Sequence, residues 1–248
     1  MLGYIAYRVD GSPAVPTRVI GGARFRVVYV RRGDGIAARV SARAAARALR
    51  RAGVRCAVFP PDYPHRALFA RYGVLPPPLT PLYHALAAGI VRRYAVRRAL
   101  DLRRASVAFA APHVTPELRQ AVWELSAEIR YIVLKVPGGG GELARSLRRE
   151  RGVAARVAAP GENVSADLTV CFGPCGTLGE GAVLPLYEQE PSNGAPSAGL
   201  ELRAALFLAG VSGASDGESA ARTRLPDELL ERAAFIAAPS ADSAARVT

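Results

Sequence analysis

The sequence predicts an α/β chain with a mostly parallel sheet flanked by helices, built as one sheet or as two α/β halves. Three observations carry this expectation. From Ser106 onward, short apolar runs alternate with helical stretches of roughly 10–15 residues, the rhythm of βαβ units. Val54–Phe59 is a short run rich in apolar residues, as a strand covered on both faces is. Helix-starting and helix-stopping residues fall between these runs, with Thr115-Pro116 opening one helix and Gly53 and Gly152 closing two others.

Taken in order, Leu2–Val9 and Phe25–Arg31 read as strands enriched in Tyr, Val and Ile. The connection between them, Asp10 to Ala23, is long for a hairpin. Arg39 to Ala52 is helical, Val54–Phe59 is a strand, and Pro60-Pro61-Asp62-Tyr63-Pro64 breaks it before a short helix over Arg66 to Tyr72. After Pro76-Pro77-Pro78, Thr80 and Pro81 open a helix through about Arg98. Ser106–Ala110, Tyr131–Val136, Val153–Ala158 and Leu168–Phe172 then read as strands. Helices from Thr115 to about Ile129 and over Glu142–Arg151 lie between them. Ala182–Tyr187 is a candidate edge strand, and Leu200–Leu208 and Asp227–Phe235 are candidate helices. Segments 191–196 and 210–221 read as linkers. The expected organisation is an N-terminal α/β half over 1–78, a basic connecting helix over 79–104, a βαβαβ block over 105–187, and linkers and helices over 188–248.

Charge is distributed very unevenly. The first 112 residues hold 20 Arg, no Lys, four Asp and no Glu, while the remaining 136 hold 13 basic and 17 acidic residues. A front of that sign attracts anions or an acidic partner. Met1-Leu2-Gly3-Tyr4 lacks the basic start of a secretory signal, and no run reaches the roughly 18 apolar residues of a membrane span. Cys56, Cys171 and Cys175 are odd in number and lack framework spacing, which suits a reducing compartment. A cytoplasmic protein without a membrane partner is expected.

The block from about Ala105 to Gly173 resembles the nucleotide-binding half of Rossmann-type proteins. The likeness rests on the order strand, helix, strand, helix, strand, strand, over about a quarter of the chain. Such domains carry G-x-G-x-x-G after the first strand and an acidic residue after the second. Here the first turn is Ala110-Ala111-Pro112-His113-Val114-Thr115-Pro116, and the second strand ends at Lys135-Val136-Pro137. Both diagnostic positions depart from a dinucleotide site, so a standard dehydrogenase is disfavoured and no particular cofactor is implied. What the resemblance does imply is location, since ligands of open parallel sheets lie beyond the carboxyl ends of the strands. The turns Pro60–His65, Ala111–Thr115, Pro137–Gly141 and Phe172–Gly176 would share that edge if the halves form one sheet.

Gly138, Gly139, Gly140 and Gly141 precede a helix, with Lys135 just upstream. Amides at a helix N-terminus suit a phosphate or carboxylate. The G-x-x-x-x-G-K-[ST] pattern of nucleotide hydrolases is absent. His113 follows its strand and Asp62 and His65 lie in the corresponding turn of the first half. Together they form a candidate acid/base set, provided the side chains converge. His84 on an apolar helix reads as a packed residue. Cys171-x-x-x-Cys175 lacks the paired spacing of a zinc site, so no metal is expected.

The arginines are patterned as well. At 100° per residue Arg39, Arg43, Arg47, Arg50 and Arg51 share an arc of roughly 120° opposite Ala42, Ala45 and Leu49. Arg93 and Arg97 belong to a second cluster, which Arg92, Arg98, Arg103 and Arg104 complete. Basic faces of this kind suit phosphate backbones, although no reader motif or aromatic interleaving accompanies them. Three functions stay open on the sequence. The first is binding of a small anionic ligand, nucleotide or phosphorylated, without catalysis. The second is an arginine-rich surface for nucleic acid or an acidic protein, and the third is an atypical oxidoreductase-like enzyme.

Overall fold

The computed structural model describes residues 1–8, 15–174, 180–188 and 198–210. The chain divides into two compact units, one from Met1–Pro81 with Glu190–Gly217 and one from Leu82–Gln189 with Glu218–Thr248. Each has its own sheet, so the α/β class with mostly parallel strands and flanking helices holds in both.

In the first unit β1 (Leu2–Tyr7), β2 (Thr17–Ile20), β3 (Ala23–Val30) and β4 (Cys56–Val58) are ordered β2-β3-β1-β4. β1 pairs in parallel with both β3 and β4, and β2 pairs antiparallel with β3. Strand β2 was not expected from the sequence. Its signal is Gly21-Gly22, whose φ values of 55° and 86° make the two-residue turn that a right-twisted hairpin favours. Helix α1 (Ile36–Arg51) crosses β1 to link β3 with β4, and its Ala42, Ala45, Ala46 and Leu49 bury against Val28, Val30 and Ile5. Gly53 stops it at φ 72°. The short helix α2 (Arg66–Arg71) adds Phe69 to the same core.

The opposite face of this sheet is closed from far along the chain. Helix α7 (Ala198–Leu208) sets Ala205, Leu202 and Leu206 against Phe25, Val58 and Ala23. Its Glu201 is fully buried, accepts the Phe59 amide at 2.8 Å and pairs with the Arg66 guanidinium. A carboxylate so placed needs both partners, because charge removed from water is costly unless paired and hydrogen-bonded.

In the second unit β5 (Ser106–Ala110), β6 (Tyr131–Lys135), β7 (Ala155–Val157), β8 (Leu168–Cys171) and β9 (Ala182–Pro185) are all parallel, ordered β7-β6-β5-β8-β9. Val107, Phe109, Leu134, Leu168, Val170 and Leu184 in their centres are inaccessible to solvent. Helix α5 (Pro116–Leu125) connects β5 to β6, and α6 (Gly140–Arg151) connects β6 to β7. Thr115 caps α5 by accepting the Leu118 amide at 3.2 Å, and Gly152 ends α6 in the left-handed region at φ 68°. Val164 and Ala166 of the β7–β8 connection pack on Ala108 and Val133.

Several expectations are corrected. The single helix from Thr80 to Arg98 is two, α3 (Thr80–Ala85) and α4 (Ala87–Arg97), with the break at Leu86. Neither Pro nor Gly marks it. The α1 helix begins three residues before Arg39, because Gly35 takes the extended N-cap conformation. The Asp227–Phe235 helix, the 191–196 linker and Cys175 lie outside the described residues.

Candidate functional site

The four turns expected to share one edge belong to two sheets. Pro60–His65 follows β4 in the first unit, whereas Ala111–Thr115, Pro137–Gly141 and the start of Phe172–Gly176 follow β5, β6 and β8 in the second. Asp62 and His65 are therefore on a different sheet from His113, and the condition set for a shared acid/base crevice on one sheet is not met.

The second unit carries the reversal point of its sheet. From β5 the chain moves outward to β6 and β7, then returns to β8 on the other side. In parallel α/β sheets the gap beyond the strand ends at such a point is the usual ligand position. Here the turns meet closely. A side chain on Gly173 would come into van der Waals contact with the Pro112 ring at 3.4 Å, so the β8 turn lies beside the β5 turn. His113 forms an isolated parallel bridge with Gly138, and the Gly138 carbonyl accepts the Val114 amide at 3.0 Å. The glycine turn is thus fixed beside His113. Gly139 takes φ 86° as the N-cap of α6 and accepts the amides of Glu142 and Leu143, both at 3.1 Å.

Gly140 and Gly141, the first residues of α6, have no intrahelical acceptor for their amides. Gly140 is buried near Val136 and Val157. Gly141 is exposed, with nothing within 4 Å of the place a side chain would take. The His113 ring is exposed and Lys135 is half-buried, the latter opposite Ala110 in the register with its carbonyl accepting the Ala111 amide at 3.3 Å. Beside this edge a cleft of about 600 Å³ opens between α5 and α6, lined by Val114, Thr115, Arg119, Trp123, Ser146 and Glu150. The Arg151 guanidinium stands 4.9 Å from the centre of the Trp123 ring.

His84, read from the sequence as a packed residue, is half-buried, with its ring 5.0 Å from that of Phe172 just past β8. Burial lowers its pKa. The Glu117 charge and the backbone of Phe172 and Leu186 oppose the fall. Its Nε2 is buried without a hydrogen-bond partner among the described residues. The sequence offered no signal for this, because a helix face says nothing about which strand end it meets.

The turn after β4 has its own concentration of polar atoms. Asp62 is exposed and left-handed at φ 51°, a conformation that side chains other than Asn and Asp rarely take. Tyr63 Oη, His65 Nε2 and Arg66 Nε are buried without hydrogen-bond partners among the described residues. The Tyr63 ring packs on Phe59, Phe69 and Tyr7, and burial pushes its phenol pKa up. Nearby, burial and then the Glu201 charge raise the Cys56 thiol to about 11. The thiolate is the reactive form, so at pH 8 Cys56 should alkylate roughly a hundredfold more slowly than a thiol at the ordinary value. Peptide mapping after timed iodoacetamide treatment reads this; labelling at the free-thiol rate contradicts it.

Arg39, Arg43, Arg47, Arg50 and Arg51 are all exposed on α1, and Arg47 donates to the Tyr72 hydroxyl at 3.3 Å. In the second unit Arg92 pairs with Glu128, Arg93 is half-buried and Arg97 is exposed. Among the described residues no group of three His, Cys, Asp or Glu is arranged to hold a metal ion, and no helix is long and apolar enough to cross a membrane.

No family model and no curated protein matches the sequence. Among solved structures, the chain is similar to the crystal structure of L-tryptophan dehydrogenase from Nostoc punctiforme at 9% identity and a TM-score of 0.40, with 98% of this chain and 83% of that chain covered. Agreement at that level carries no functional argument.

Proposed function

We propose that the second unit binds a small anionic molecule, a nucleotide or a phosphorylated compound, at the carboxyl edge of its parallel sheet. The single observation behind this reading is the His113–Gly138 bridge. It holds an exposed imidazole and the start of α6 together, next to the strand reversal between β5 and β8. Amides at a helix N-terminus favour a negative charge, and Gly141 leaves room for one to approach. Lys135, at the end of the adjoining strand, adds a cation of the same sign. The binding role requires no covalent step.

A ligand present at about 100 times its Kd stabilises the folded state by about 2.7 kcal/mol. Thermal unfolding of the intact chain with inorganic phosphate, ribose 5-phosphate, AMP and ADP tests the proposal. At least one of these should raise the melting temperature of the wild type. Gly141→Asp, at an open helix N-terminal position that favours a carboxylate, should keep or slightly raise the wild-type melting temperature in buffer and lose the ligand response. Absence of any shift in the wild type, or an undiminished shift in G141D, overturns the assignment.

A further inference from the structure

We infer that the outer face of α1 in the first unit is a docking surface for the phosphate backbone of double-stranded nucleic acid. The inference is independent of the anion site proposed for the second unit. Helix α1 spans 16 residues, about 24 Å, and carries five exposed arginines and no acidic residue. Arg39, Arg43, Arg50 and Arg51 form no ion pair among the described residues, and Arg47 is steadied by Tyr72 rather than by a carboxylate.

Two further arginines lie on the α1 side of the sheet. Along β3, Arg24 and Arg26 alternate with the buried Ala23, Phe25 and Val27, and so point to the same side as Val28 and Val30, which pack on α1. By sequence the whole first unit holds 15 Arg against six acidic residues. One of the six, Glu201, is buried and already paired with Arg66. The excess is therefore a property of this unit itself and is not offset by its own acidic residues.

The composition of the face selects the partner. Ile36 and Val40 are its only large apolar side chains, and α1 has no aromatic residue. An interface with a protein usually centres on buried aromatic anchors, which this arc does not provide. A duplex presents about one charge per 1.7 Å of axis, a continuous target for cations spaced along a helix, and guanidinium groups match phosphate oxygens bidentately. With no reader motif present, binding is expected to ignore base sequence.

Fluorescence anisotropy of a short labelled DNA duplex, titrated with the intact chain across a salt series, tests this. If all five arginines engage, log affinity should fall linearly with log salt at a slope of about −4.5, roughly a 500-fold loss between about 50 and 200 mM. Arg39→Gln, Arg43→Gln and Arg50→Gln, singly, should each reduce the slope by about 0.9, and the triple variant by about 2.7. A charge-matched control, Arg103→Gln, Arg148→Gln and Arg149→Gln together in the second unit, should leave the slope close to wild type. A flat salt response, or equal losses in the control, overturns the inference. Equal binding by poly-L-glutamate transfers the face to an acidic protein and overturns the nucleic-acid assignment.

Discussion

Replacing Glu201 by Ala should destabilise the first unit by about 3–5 kcal/mol, the range seen when one partner of a buried ion pair is removed. The cost arises from what is left behind. Glu201 is fully buried and holds two donors, the Phe59 amide at the end of β4 and the Arg66 guanidinium. Without it the amide loses its acceptor, and a cation whose side chain is only 20% exposed loses its counter-charge. Chemical denaturation followed by far-ultraviolet circular dichroism reads the loss directly. A second substitution separates an orphaned charge from general damage to α7. Adding Arg66→Met to Glu201→Leu removes both charges and should recover much of the loss, because apolar replacement of a whole pair is often tolerated. A double variant as unstable as E201A would show that the helix contact itself, rather than the uncompensated guanidinium, dominates.

Gly181→Ala should be nearly as damaging in the second unit. Gly181 has φ 120°, a conformation essentially confined to glycine, and immediately precedes β9. A side chain there would overlap the Ala166 carbonyl oxygen and lie 3.0 Å from its carbon, and backbone atoms cannot yield as a flexible side chain would. The flanking bonds, Ala166 amide to Glu180 carbonyl at 3.4 Å and Ala182 amide to Asp167 carbonyl at 3.2 Å, must open to relieve the overlap. Strained backbone of this kind costs on the order of 1–3 kcal/mol before those bonds are counted, so a total of about 3 kcal/mol or more is expected. Gly141→Ala is the matching control. It stands inside a helix in open space, and should be neutral or stabilising by about 0.5–1 kcal/mol. Denaturation midpoints of the two variants falling together would refute the account of Gly181.

The features legible in the sequence are those decided by neighbouring residues. Ser106–Ala110 is a strand over the expected span, Thr115 caps its helix, and Gly53 and Gly152 stop theirs, because each depends on residues within one turn. The exposed arginine arc of α1 follows from helical periodicity in the same way. Pairing between strands is not local. The α1 crossover makes β3 and β4 run the same way, and β1 pairs in parallel with both from the place between them, which no short window of residues encodes. The β2 hairpin has a local signal in Gly21-Gly22, set within the long Asp10–Ala23 connection. Glu201 counted in the sequence only as one acidic residue among many. Its partner Arg66 lies 135 residues away, so neither its burial nor its pairing could be seen. The position of His84 beside Phe172 is of the same long-range kind.

The placement of α7 has a consequence for synthesis. Phe59 and Glu201, joined in the folded protein, leave the ribosome 142 residues apart. At about 5–20 residues per second this interval is roughly 7–28 s. Throughout it the oily side formed by Phe25 and Val58 has been made but its lid has not. A newborn chain thus has a window in which chaperones, or other chains with the same bare patch, compete for that side before its own helix arrives.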